Sequence, residues 1–205
     1  MKILRLLVSM LAFSPTSWAI MFGEAVPAQD PIRSVAVIMP KDDNLRNGTQ
    51  CTGTRISKHY VLAAAHCVGL SKTIVFGNGA VAKIKRQTPH PSWKGQEDDN
   101  YEFIVIELAD PVPDGPVAQL PSSPLMQGDL LWVAGGGYTH SGGDGVLHKT
   151  MLGVTDPNFT STQIRTLGRR LANGKKSGIC GGDSGGGSFM IQGGDRKSTR
   201  LNSSH

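Results

Sequence analysis

Two short stretches of this chain carry residue types suited to nucleophilic chemistry. "VLAAAHC" (residues 61–67) ends an apolar run on His66, and "GGDSGGG" (residues 181–187) sets Ser184 among glycines. A serine hydroxyl is a weak nucleophile until a base takes its proton, and imidazole is the side chain best suited to that exchange near neutral pH. Glycine neighbours let a substrate backbone approach and let a tight turn present the hydroxyl. Each stretch alone has a plainer reading: a lone histidine after a strand is usually a packed core residue, and a Gly/Ser run is usually a loop. Found together, they shift the odds toward a nucleophilic serine and a histidine that serves it as base.

The other residues with reactive chemistry are three cysteines, Cys51, Cys67 and Cys180. A zinc site from these and His66 lacks ligand-type spacing, and adjacent His66 and Cys67 point in different directions. No metal and no organic cofactor is expected. An odd cysteine count in an exported chain implies a free thiol or a missing partner.

Export itself is read from the N-terminus. "MKILR" supplies positive charge, "LLVSMLAF" an apolar stretch, and "SPTSWA" small residues at Ser17 and Ala19, which together predict a signal peptide over residues 1–19. The apolar run is short of the roughly 20 residues that span a bilayer. A secreted protein, extracellular or periplasmic and with no membrane association after signal removal, is therefore expected, in an oxidising compartment. The formal charge of +5 is concentrated at the ends: Lys2 and Arg5 give two, and Arg196, Lys197 and Arg200 against Asp195 give two more, leaving +1 between. No basic stripe with interleaved aromatics is visible, so no nucleic-acid partner is expected.

The elements that must hold His66 and Ser184 read as strands. Hydrophobic residues make up 39% of the 205, and 26 Gly and 12 Pro punctuate short apolar runs, a pattern of strands joined by tight turns. The runs are "SVAVIM", "KHYVLAA", "KTIVFG", "VAKIKRQ", "EFIVIEL", "DLLWVAG", "HKTMLGV" and "GSFMIQ". Only "STQIRTLGRRLANG" (161–174) has some helical spacing. A Pro-rich stretch near the middle resembles a connector between two β units. Asn47 and Asn158 lie in Asn-x-Ser/Thr sequons.

These motifs, in this order, resemble the chymotrypsin-like, trypsin-fold serine proteases. Cys51 lies sixteen residues before Cys67, "HPSW" precedes "YEFIVIEL", and "DPV" and "VAGGGYT" follow, the last with Gly136 where the family has Trp. The resemblance implies an all-β fold of two antiparallel six-stranded barrels, the second incomplete. It implies His66 as general base, Ser184 as nucleophile, the N–H groups of Gly182 and Ser184 as oxyanion hole, and a disulfide between Cys51 and Cys67. Glu102 stands where the family has Asp; Asp99 is the alternative third member. Ile20 would open the mature chain and pair its ammonium with Asp183, and signal removal would then itself activate the protein. Gly178 falls at the floor of the specificity pocket, where trypsin-type enzymes carry Asp, so small or apolar side chains are expected before the cut.

The implied function is a secreted serine endopeptidase acting on protein or peptide substrates as a monomer. The alternative is a catalytically impaired pseudoprotease serving as a binding protein, for which Glu102 is the best support. The expected organisation is a signal peptide at 1–19, a first barrel at 20–110 with His66 and Glu102, a connector at 111–127, and a truncated second barrel at 128–194 with Ser184. Residues 195–205, "DRKSTRLNSSH", match the translation of a common sequencing adapter throughout and are expected to be foreign. Cys180 would have lost its partner to that truncation, and an open strand edge would remain.

Overall fold

The computed structural model describes residues 20–41, 48–95, 100–121, 123–138, 145–160, 163–192 and 195–201. The signal peptide expected at 1–19, Asn47, Asp99 and residues 202–205 lie outside them. Twelve strands are formed: β1 (Glu24–Ala25), β2 (Ala36–Pro40), β3 (Thr49–Arg55), β4 (Tyr60–Ala63), β5 (Thr73–Phe76), β6 (Val81–Pro89), β7 (Ile104–Leu108), β8 (Leu130–Gly135), β9 (His148–Asp156), β10 (Arg165–Gly168), β11 (Gly187–Gln192) and β12 (Asp195–Leu201). One helical turn, α1 (Ile32–Val35), leads into β2, and a 3₁₀ turn spans Ala65–Cys67.

Six strands close a barrel in the order β2-β3-β4-β7-β6-β5, every pair antiparallel. Closure removes the open edges that a sheet would otherwise expose. Strand β7 shows how the sequence dictates it: Ile104, Ile106 and Leu108 alternate with half-buried residues, so one face packs inward. They meet Val37, Met39, Val61, Ala63, Ile74 and Phe76 in one apolar core. Strand β3 had no apolar run to announce it, yet Thr52 and Thr54 are fully buried within it. Its β-branched threonines suit the pleat as aliphatics would, which composition-based reading undervalues.

The second unit is a six-stranded sheet ordered β1-β9-β8-β11-β12, with β10 also on β9. Two features differ from expectation. The segment with helical spacing forms β10, paired to β9 from Arg165↔Asp156 to Gly168↔Leu152; pairing with a long strand outweighs a weak helical pattern that carries Gly168 and Gly174. The N-terminal residues, assigned by sequence to the first barrel, join the second sheet instead: Glu24 and Ala25 pair with Lys149 and His148, and Met21 bridges Gly178.

Residues Asp195–Leu201 run antiparallel to β11, so β11 is not left as an open edge and β12 occupies that position. The units meet across a shared cluster in which Ile38 of the barrel packs with Ala134 of β8 and Phe189 of β11. The Pro-rich stretch runs over the first barrel: Arg55 donates to Pro113 O at 2.6 Å, and Ala118 N–H donates to Arg55 O at 2.9 Å. Among the described residues, no helix is long and apolar enough to cross a membrane.

Candidate active site

His66 owes its place to two constraints. Strand β4 delivers Ala64 in extended conformation to the 3₁₀ turn, and Cys67 is disulfide-bonded to Cys51 of β3 with Cα atoms 6.2 Å apart. Closing a loop of this length contributes roughly 3 kcal/mol by restricting the unfolded chain. The bond also settles the zinc question, since both thiols are consumed by it and cannot ligate. Cys180 is a half-buried free thiol.

Glu102 approaches from the neighbouring strand. Because β7 pairs with β4 in the register Ala63↔Ile104, the residues just beyond each strand end share one rim of the barrel. There Glu102 Oε1 accepts the backbone N–H of His66 at 2.8 Å and lies 2.8 Å from His66 Nδ1. The imidazole is 18% exposed and the carboxylate 5%. A carboxylate oxygen at Nδ1 favours the tautomer protonated there, which leaves a lone pair on Nε2, the nitrogen a general base must use. The other oxygen, Oε2, is buried with no hydrogen-bond partner among the described residues.

Ser184 sits in a loop of the second unit that is locked to the first barrel. Thr52 of β3 does most of this: its N–H donates to Ser184 O at 2.9 Å, its hydroxyl donates to Gly182 O at 2.8 Å, and the same hydroxyl accepts Gly136 N–H at 3.1 Å. Gly185, at φ +81°, lies so close that an added Cβ would come within 2.5 Å of both Ala64 N and Thr52 O. Ala64 is two residues before His66, so this approach brings the serine loop against the histidine turn. Gly182, at φ +90°, leaves room for a Cβ only at 2.7 Å from Gly137 Cα. Sequence reading marked Gly182 but missed Thr52, Gly137 and Gly185. The β-branched Thr in an otherwise polar stretch was the available signal for the first.

Asp183 is 1% exposed. Its Oδ1 accepts Gly137 N–H and its Oδ2 accepts Cys180 N–H, each at 2.9 Å. Burial pushes its pKa up to about 7, against the smaller downward pull of those two bonds. No cation pairs with it among the described residues. Ile20 is fully buried against Val133 and Leu152. Val133 and Gly135 project from the same face of β8, and a Cβ on Gly135 would clash with Asp183 Oδ1, so that face borders both residues. Gly178 donates its N–H to Met21 O at 3.1 Å, and a Cβ there would meet nothing within 4 Å.

Similarity to known proteins identifies the family that carries this fold. The family model described as Trypsin matches residues 33–196. Snake venom serine protease rhinocerase 4 of Bitis rhinoceros is 28% identical over 204 residues, covering 89% of this chain and 77% of that protein. Venom plasminogen activator LV-PA of Lachesis muta muta is 25% identical with the same coverage. Scolexin B of Heliothis virescens is 29% identical over 75% of this chain and 67% of its own length. A match to the family over most of the sequence, on a fold of one closed six-stranded barrel and a second antiparallel sheet, places the chain in the trypsin family of serine-type endopeptidases.

Proposed function

We propose that this enzyme is a secreted endopeptidase in which Ser184 attacks the scissile carbonyl, His66 takes the hydroxyl proton and returns it to the leaving amine, and Glu102 fixes the imidazole. The observation that carries the reading is the Glu102 Oε1 contact to both His66 N and Nδ1 at 2.8 Å. Two bonds to one oxygen define the ring's position and its tautomer together. They favour this reading over the pseudoprotease alternative, because the longer side chain is within hydrogen-bond distance of the imidazole.

The N–H groups of Gly182 and Ser184 would bind the oxyanion, and Gly182 adopts the left-handed φ of +90° that favours glycine there. Gly178, with open space beside it and no carboxylate, favours small or apolar side chains before the cut. Removal of residues 1–19 gives Ile20 an ammonium group and supplies Asp183 with a counter-charge, so that signal cleavage completes the site. A fully buried Ile20 and a nearby buried carboxylate with a raised pKa support this. Protein or peptide substrates follow from the family; a monomer without membrane or nucleic-acid partners belongs to this proposal.

Steady-state kinetics of Ser184→Ala and His66→Ala in the secreted protein test it. Each substitution should lower kcat by about 10⁴-fold or more with little change in KM. Full activity in either variant would overturn the assignment.

A further inference from the structure

The outer face of the first barrel carries a groove of about 580 Å³ that none of the chemistry above uses. Lys72, Lys83, Lys85 and Arg86 line it, and no carboxylate does. Glu107 is the nearest acid, bonded to Lys85 Nζ at 2.7 Å and Arg86 Nη2 at 3.0 Å. Among the described residues no ion pair holds Lys72 or Lys83. Five charged residues thus carry a net charge of +3, on a body whose charge between Ile20 and Gly194 is only +1.

The convergence is built by the fold. Strand β6 alternates exposed and half-buried residues until Lys85 and Arg86, which are both exposed. The pairing with β7 shifts register there, between Ile84 and Arg86. A β-bulge inserts one residue and re-aims the side chains after it, so two consecutive cations face the same side. The floor is different in character: Val68 and Ile84 line it, half-buried on the barrel core. The groove also touches the catalytic rim. Val68 follows Cys67 directly, and Gln87 ties the loop down, accepting Gly69 N–H and donating to Ser71 O, each at 2.9 Å.

We propose that this groove binds an acidic peptide segment bearing apolar side chains, contributed by a protein substrate beyond its scissile region. Cations at the rim meet Asp or Glu, and Val68 and Ile84 take the apolar residues between them. A sulfated glycan or nucleic acid would satisfy the rim but has no use for an apolar floor without aromatic side chains. Substrate engaged here would be tethered beside the His66 loop, which raises its effective concentration at the cleft.

The test uses the full chain with a fluorescent peptide alternating Glu and Leu, its Glu/Ser counterpart, and a heparin fragment. Anisotropy should show binding of the Glu/Leu peptide that weakens with salt and falls about tenfold or more in a Lys72→Glu/Lys83→Glu variant. The Glu/Ser peptide should bind distinctly more weakly. Equal binding of the two peptides, stronger binding of heparin, or an unchanged affinity in the variant would overturn the proposal. Both substitutions are at exposed positions, and Lys72→Gln/Lys83→Gln should give an intermediate loss without charge reversal. A cleavable substrate carrying the Glu/Leu tract should lose kcat/KM in the variant through KM, with a short neutral amide unaffected. That arm rests on the endopeptidase reading: absence of hydrolysis in parent and variant alike would sink that reading and leave the binding result standing.

Discussion

Glutamate in place of aspartate is a difference of one methylene, and its consequence is fixed by where the backbone stands. Glu102 Oε1 lies 2.8 Å from His66 Nδ1, so the length of this side chain suits its backbone position. Shortening the side chain therefore withdraws the carboxylate. We expect Glu102→Asp to lower kcat/KM about 100-fold, since misplacement by about 1 Å costs that much, with KM nearly unchanged in steady-state assays. An Asp variant as active as the parent would show that the oxygen position is not what matters. Gly185 is a second residue whose identity is dictated by space. At φ +81°, with Ala64 N and Thr52 O each 2.5 Å from a prospective Cβ, neither neighbour is a flexible side chain that could yield. Gly185→Ala should separate the serine loop from the barrel, seen as a large loss of kcat and a lower thermal midpoint. Of these features, the identities of His66 and Ser184 were legible as motifs. The clamp by Thr52 was not, because a residue 132 positions away in sequence finds its partner only through the fold.

At the scale of elements, the N-terminal segment is held by Lys149 of β9. This ammonium bonds Asp30 Oδ2 at 2.6 Å and Glu24 Oε1 at 3.3 Å, and lies 4.3 Å from the centre of the Trp132 ring. Burial pulls its pKa down, but the two carboxylates more than compensate and the net shift is upward. Asp30 in turn accepts Ile32 N–H at 2.8 Å where α1 begins. Lys149→Met would remove the ammonium that bridges half-buried Asp30 and exposed Glu24, a loss on the order of 1–3 kcal/mol for a charged hydrogen bond. The expected readout is faster amide exchange at residues 21–26 and a lower denaturation midpoint; unchanged exchange there would show that β1 pairing alone holds the segment. Strands with regular apolar alternation, such as β6 and β7, were readable from sequence. Strands β1 and β10 were not, since each is short and exists only because β9 offers an edge to pair with.

For the whole molecule, the decisive balance is the charge on Asp183. In the chain that still carries residues 1–19, its pKa of about 7 exceeds the ordinary 3.8, so the folded state binds more protons than the unfolded one between those values. Its contribution to stability should therefore be greatest below pH ~4, fall by a few kcal/mol as pH rises to ~7, and level off above. Chemical denaturation of the uncut chain beside its Asp183→Asn variant across that range checks this; a parent that loses no ground to the variant as pH rises would contradict it. After cleavage an Ile20 ammonium would pair with the ionised carboxylate, so the loss between pH ~4 and ~7 should disappear and activity should instead be lost at alkaline pH, where an α-amino group of ordinary pKa near ~8 gives up its proton. The two-unit architecture was legible because several motifs occur in family order. The placement of residues 20–26 on the second sheet was not, because only the folded structure brings Met21 to Gly178 and Glu24 to Lys149. All of this presumes a serine activated across the seam between the units. Labelling of the protein with a fluorophosphonate, located by peptide mass spectrometry, tests that most directly. Modification is expected at Ser184 alone, abolished in Ser184→Ala and strongly slowed in His66→Ala; a folded protein that leaves Ser184 unmodified would contradict it.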